Sequence, residues 1–204
     1  MSERKIYMNL PNKLTMLRLI FVPFYVFFLL MTAIPHHYLI ALIIFAAAAY
    51  TDHLDGKIAR KYNMVTDFGK FADPLADKIM IFSALACFIQ LGLTGAVVLI
   101  ITAAREFAVT SVRLVAADKG KVVAANIWGK LKTVSQIAAV LAVMLLQYIM
   151  ELSSLGIIHF ENTPAVSAWF CIIGESLLWI SVLFAVISGV IYICQNFEFI
   201  KNAK

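Results

Sequence analysis

All 17 lysines and arginines of this 204-residue chain fall in four segments, Arg4–Arg18, Lys57–Lys78, Arg105–Lys132 and Lys201–Lys204; the intervals 19–56, 79–104 and 133–200 hold none. A water-soluble fold has no need of that segregation. A helix of about 20 apolar residues spans a hydrocarbon core about 30 Å thick, and cationic residues collect on the cytoplasmic side of a membrane. The pattern therefore predicts basic cytoplasmic segments separated by three outer turns. Composition agrees, with 62% hydrophobic and 14% charged residues, where an ordinary globular domain carries about 25% charged residues. The net charge of +5, placed in this way, points to anionic headgroups and phosphate ligands and not to nucleic acid. Arg4 and Lys5 precede an apolar run with no small-residue cleavage site after it, so the first span itself is expected to direct insertion.

Along the chain, these runs predict an all-α integral membrane protein of six transmembrane helices with both termini cytoplasmic. Residues 1–10 are expected as a short interfacial helix, with a disordered tail as the alternative, and residues 11–204 as the membrane domain. The first five helices are placed at about Pro11–Met31, Tyr38–Arg60, Asp67–Leu91, Ala96–Ala117 and Gly129–Met150. Pro35 and the His36-His37 pair make the first outer turn, with the histidines interfacial, and Leu91–Gly95 makes the second. Residues 151–168 are expected as an outer loop, with Ala165–Ile173 at the interface and the sixth helix starting near Gly174-Glu175. Cys87, Cys171 and Cys194 lie inside apolar runs without metal-ligand spacing and are expected as small core or lipid-facing residues.

Four aspartates interrupt this apolar chain at fixed offsets. Helical positions three and four apart share a face, so Asp52, Asp55, Gly56 and Ala59 line one stripe with Arg60 beside it. Gly69, Asp73 and Asp77 line a second. Two antiparallel helices with small residues among the acids bring such stripes together. Converging carboxylates repel unless cations sit between them. Oxygen donors suit Mg2+ or Mn2+, whereas zinc takes histidine or cysteine. A two-metal phosphoryl-transfer site is the reading that follows. Pairing of surface acids with Lys57, Arg60, Lys70 and Lys78 explains any one aspartate, but not four at this spacing. The apolar part of helix 2, Tyr38–Thr51, covers only about 21 Å at 1.5 Å per residue. Asp52 is thus expected roughly 9 Å inside the boundary of a hydrocarbon core, where a charge is tolerated only in a wet, protein-lined cavity.

The string Asp52-x2-Asp55-Gly56-x2-Ala59-Arg60-x8-Gly69-x3-Asp73-x3-Asp77 resembles the signature of the CDP-alcohol phosphotransferases, with every defining position filled. The resemblance implies that family's fold, a homodimer, and a reaction in which an alcohol hydroxyl attacks the lipid-bearing phosphorus of a CDP-linked lipid and CMP leaves. It implies that Asp52 and Asp73 bridge two divalent cations, that Asp55 completes one site and Asp77 the other, and that Asp77 is also the general base. Gly56 then lets a phosphate or the cytidine approach the backbone, and Arg60 holds the nucleotide phosphate. Asn12, Thr15 and Gly69 belong to the same CDP-lipid site by resemblance.

Arg105 falls near mid-membrane and so needs a reason to be there. Glu106 and Arg113, seven apart, are expected to form an internal ion pair. Arg105, Arg113, Lys130 and Lys132 are explained by a second anionic substrate whose phosphate they bind. The alternative is a structural network or snorkelling to headgroups. Asn9-Leu10-Pro11-Asn12-x-Leu14-Thr15-x2-Arg18, Asp67-Phe68-Gly69-Lys70-x2-Asp73-Pro74-Leu75-Ala76-Asp77-Lys78, Arg105-Glu106, Gly129-Lys130-x-Lys132-Thr133 and Gln136 resemble the bacterial phosphatidylglycerophosphate synthases of that family. This covers about residues 9–136, and the last third reads as generic membrane helix. By that resemblance the substrates are CDP-diacylglycerol and sn-glycerol 3-phosphate, in the bacterial cytoplasmic membrane with the site facing the cytoplasm. A sibling using serine, inositol phosphate or phosphatidylglycerol is the nearer alternative, and the four cations favour a phosphorylated acceptor. An ion-coupled transporter is the distant one, since no chain of polar residues continues outward through helices 2 and 3.

Overall fold

The computed structural model describes residues 10–61, 67–118 and 127–197, with side chains over 12–51, 72–117 and 127–197. Six helices follow one another, with no strand among the described residues: α1 (Leu10–Leu30), α2 (His37–Lys61), α3 (Asp67–Gln90), α4 (Ala96–Asp118), α5 (Ile127–Ser154) and α6 (Thr163–Gln195). Among the described residues three stretches are long and apolar enough to cross a membrane, Asn12–Leu30, Ile127–Ser154 and Thr163–Gln195, and His37–Thr51 is a shorter apolar stretch. The expected interfacial segment at residues 1–10 lies outside the described residues but for the first residue of α1.

The helices are sorted by face in the sense a lipid solvent requires. On α1, Thr15, Arg18, Val22, Tyr25 and Leu29 form a buried stripe, while Ile20, Phe24 and Phe27 point outward, each at least half exposed. On α6 the buried face is Gly174, Leu178, Ser181, Val182, Ala185, Ser188, Gly189 and Tyr192, and Trp169, Ile172, Ile180, Leu183 and Val190 are exposed. Small and polar residues inside with large apolar ones outside reverse the order of a soluble protein. Close helix contact through small residues drives association in a bilayer.

Two compact units divide the chain at Ser83 and Ala84. In the first, α1 packs along α2, with the ring of Tyr25 edge-on to Phe45 at a centroid distance of 5.4 Å. The Tyr25 hydroxyl, fully buried, donates to the Met80 carbonyl at 2.6 Å and lies 2.6 Å from Ser83 Oγ, tying α1 to α3. In the second, α6 packs on both α5 and α4. A Cβ added at Gly174 would stand 3.2 Å from Val143 Cγ2, so this glycine lets α5 and α6 approach closely.

Local chemistry sets the turns. Gly92 (φ +71°) and Gly156 (φ +74°) occupy left-handed positions. Leu93 N–H reaches back to Phe88 O at 2.8 Å and Ile157 N–H to Leu152 O at 3.0 Å, closing α3 and α5 in the same way. In the first turn His36 has φ +62°. His37, expected in that turn, instead opens α2 and is buried, with its ring 4.2 Å from that of Tyr38.

The start of the last helix differs most from expectation. α6 begins at Thr163, eleven residues before Gly174, and runs for 33 residues, about 50 Å at 1.5 Å per residue. The Asn162 side chain caps it by accepting from Ala165 N–H at 3.2 Å, and Pro164 occupies the first turn, where its missing N–H costs nothing. Gly174 marks a packing contact inside the helix and not its start. α5 likewise extends to Ser154, leaving a connection of residues 155–162. Cys87 is buried, Cys171 half-buried and Cys194 exposed, all as free thiols.

Replacing Tyr25 with phenylalanine removes a buried hydroxyl and leaves the Met80 carbonyl without that donor. We expect Y25F to lose about 1 kcal/mol, read as a lower midpoint of thermal unfolding in detergent, with the helical content unchanged.

Candidate active site

The acid motif is carried by α2 and α3. Asp52, Asp55, Gly56 and Arg60 lie within α2, and Gly69, Asp73 and Asp77 within α3. What the side chains of Asp52, Asp55, Arg60 and Lys70 meet, and whether the two stripes converge as expected, lies outside the described residues. Asp73 and Asp77 are half-buried and one turn apart on α3, on a helix anchored by the fully buried Ala76 and Met80. Asp77 Oδ1 is closed off from solvent.

The Thr15 hydroxyl, fully buried, donates to Asp73 Oδ1 in a very short contact. Thr15, expected at the nucleotide, is thereby seen at the carboxylate. Asn12, one turn earlier on α1, is buried as well. The residues fit a hard divalent cation. Asp73 and Asp77 present oxygen donors from one face of a rigid helix, and Thr15 offers another oxygen, with no thiol or imidazole at the defining positions of the motif.

In the second unit the cations of α4 and α5 separate into two groups. Glu106 Oε1 accepts from Arg105 Nη1 and from Lys132 Nζ, each at 2.6 Å, and the three side chains are only 14%, 11% and 8% exposed. The rest of the Arg105 guanidinium is taken up by α6. Nε donates to the Ala185 carbonyl at 3.1 Å and Nη2 to Ser188 Oγ at 2.7 Å. A Cβ on Gly189 would stand 2.9 Å from Arg105 Cγ, so a larger residue there would displace the arginine at its root. Arg105 is thus a bracket between α4 and α6, and Lys132 is its counterpart on α5.

The expected ion pair between Glu106 and Arg113 is not what forms. Seven residues separate them by about 10.5 Å along the helix axis, and nearer cations satisfy Glu106. Arg113 instead donates from Nε to the Tyr192 hydroxyl at 3.3 Å, with its guanidinium carbon 5.4 Å from the ring centroid. Lys130 is exposed. Ser188, Gly189 and Tyr192 do not stand out in the sequence, where the last third reads as generic. The signal was present in the small residues Gly174, Ser181, Ala185 and Ser188-Gly189, spaced at helical intervals on one face of an otherwise bulky apolar span.

Comparison with known proteins fits this arrangement. The chain matches the sequence model of the CDP-alcohol phosphatidyltransferases over residues 8–187. It is 39% identical over 207 aligned residues to a Bacillus subtilis protein named CDP-diacylglycerol–glycerol-3-phosphate 3-phosphatidyltransferase, covering 96% of this chain and 99% of the relative. A Mycobacterium tuberculosis protein named "Probable phosphatidylglycerophosphate synthase" is 37% identical, covering 92% of this chain and 81% of the relative. A Rickettsia bellii protein with the same name as the Bacillus relative is 32% identical, covering 92% and 95%. With its motif complete and the family match running through five helices and into the sixth, the chain belongs to the CDP-alcohol phosphatidyltransferase family.

Proposed function

We infer that this chain transfers the phosphatidyl group of CDP-diacylglycerol to sn-glycerol 3-phosphate, forming phosphatidylglycerophosphate and CMP. The observation that carries the reading is end-to-end similarity to a relative named for that reaction, in a chain that keeps all four aspartates of the motif. The acceptor's hydroxyl oxygen attacks the phosphorus that bears diacylglycerol. The bond from that phosphorus to the bridging oxygen breaks, and CMP leaves with the electron pair. Asp77 takes the hydroxyl proton.

Asp52, Asp55, Asp73 and Asp77 would hold two divalent cations, Mg2+ or Mn2+. Bound there, such cations neutralise the pyrophosphate and the charge that develops on it. Thr15 orients the Asp73 carboxylate by its hydrogen bond. Arg60 holds the nucleotide phosphate, Asn12 belongs to the same CDP-lipid site, and Gly56 and Gly69 keep the backbone accessible to the CDP-lipid. Arg113 and Lys130 bind the phosphate of the acceptor. Arg105 and Lys132, held by Glu106, add positive potential to that site. The segregation of lysine and arginine supports six membrane-crossing helices with both termini and the active site on the cytoplasmic side, in a bacterial cytoplasmic membrane. Residues 1–10 lie at the interface, and the working form is a homodimer, as the family resemblance implies.

The test is CMP release from CDP-diacylglycerol by the purified chain, with glycerol 3-phosphate, inositol phosphate, serine or phosphatidylglycerol supplied in turn. We expect release with glycerol 3-phosphate alone. Release with another acceptor would keep the site and overturn the substrate. Asp73→Ala and Asp77→Ala should each lose at least about 1,000-fold in turnover while still inserting and folding. EDTA should abolish turnover in the wild type, and added Mg2+ or Mn2+ should restore it. Substantial activity in either variant would sink the two-metal assignment. For the acceptor site, Arg113→Ala and Lys130→Ala should raise KM for glycerol 3-phosphate by roughly tenfold, about what one charge-assisted hydrogen bond supplies. KM for CDP-diacylglycerol should move far less. The opposite pattern would assign those residues to the nucleotide.

A further inference from the structure

Arg105, Lys132 and Arg113 are committed to different degrees. Arg105 donates to three acceptors at once, Glu106, Ala185 and Ser188, and Lys132 is buried against Glu106. Arg113 is exposed and engages through one edge only. Its Nε–H points to the Tyr192 hydroxyl, and among the described residues neither terminal nitrogen meets an acceptor. Tyr192 itself is buried, packed with Val109 and Val112 of α4 and flanked by Ile193. A buried tyrosine hydroxyl needs a polar partner, and here the partner is the inner nitrogen of the arginine.

This geometry has a chemical consequence. A guanidinium gripped at Nε turns its two terminal N–H groups outward as a fork, the arrangement that binds a phosphate through two parallel hydrogen bonds. An arginine that merely snorkels to headgroups keeps its whole side chain loose. We propose that Tyr192 is the positioning residue for Arg113. Its hydroxyl and ring hold the guanidinium so that the terminal nitrogens face the phosphate of the acceptor substrate. This rests on the acceptor-site assignment above and deepens it. α6 thereby contributes to substrate recognition through a residue that never touches substrate.

The experiment is steady-state kinetics of the full-length chain in CDP-diacylglycerol mixed micelles, comparing wild type, Y192F, R113A and the R113A/Y192F double variant. Y192F keeps the ring and its packing and removes only the acceptor oxygen. It is expected to raise KM for glycerol 3-phosphate about three- to tenfold, the range of a single net hydrogen bond. Turnover number and KM for CDP-diacylglycerol should stay within about twofold of wild type. In the R113A background the same change should add nothing, because the group it positions is gone. A Y192F defect that falls on turnover, or one that persists undiminished without Arg113, overturns the proposal and assigns Tyr192 to packing.

R113K serves as a second probe should Y192F fold poorly. A lysine cannot both donate to Tyr192 and present a fork, so its acceptor KM should match that of R113A within about threefold. A wild-type KM in R113K overturns the proposal. An unchanged acceptor KM in R113A does so too, while leaving the phosphatidyl-transfer reading intact. Failure of the wild type to release CMP with glycerol 3-phosphate is the separate outcome that removes that reading. The same variants measured against whichever anionic acceptor works then decide the role of Tyr192.

Discussion

A charge set among apolar helices must find its counter-charge within reach, because neither lipid nor packed side chains will solvate it. In the second unit that requirement falls on Glu106, whose carboxylate accepts from Arg105 and Lys132 together. Removing one member of such a buried set leaves an uncompensated charge, which costs more than the pair itself contributes. The three residues therefore act as one, and they come from α4 and α5. α6 joins them without a charge of its own, through the Ala185 carbonyl, the Ser188 hydroxyl and the space left by Gly189. That is a sound division of labour. A backbone carbonyl and a hydroxyl accept hydrogen bonds from a guanidinium without adding another ion to be desolvated.

The first unit meets the same requirement with hydroxyls. Tyr25 joins α1 to the α3 backbone at Met80, and Thr15 joins α1 to the carboxylate of Asp73. Both bonds lie on one buried stripe of α1, with Arg18 and Val22 between them. For a carboxylate proposed to hold a metal, being fixed on a rigid helix by a neighbouring donor is an advantage, since less ordering is left to be done when ligand arrives. The stripe that packs α1 is thus continuous with the one that serves the site.

How far a site is legible depends on whether its residues are neighbours along the chain. The aspartates at 52, 55, 73 and 77 announce themselves because i, i+3 and i+4 offsets map directly to one helix face. The bounds of the first four helices follow to within a residue from charge placement and from the glycine turn at Gly92, whereas the fifth runs past its expected end at Met150 to Ser154. Arg105 and Arg113 stand out as charges in an apolar stretch. Their partners do not, because Ser188 and Tyr192 are ordinary residues for a membrane helix and lie 83 and 79 positions away. The same limit explains the misplaced start of α6. Gly174 reads as a helix start in the sequence, but in the structure it leaves room for Val143 of another helix, which an added Cβ would meet at 3.2 Å.

By itself the sequence determined that the chain is helical and built for a lipid environment, which four aspartates fill the family motif, and which family it resembles. These depend on composition and local periodicity, and the physical rules linking them to structure act over one or two helical turns. Tertiary structure alone decided that Glu106 pairs with Lys132 and Arg105 and not with Arg113, that Thr15 meets Asp73, and that Tyr192 takes Arg113. Each of those choices is a competition among several chemically adequate partners. Packing of α4, α5 and α6 in one unit, and of α1 with α3 in the other, settles which atoms come within 3 Å or so, and no local rule anticipates that.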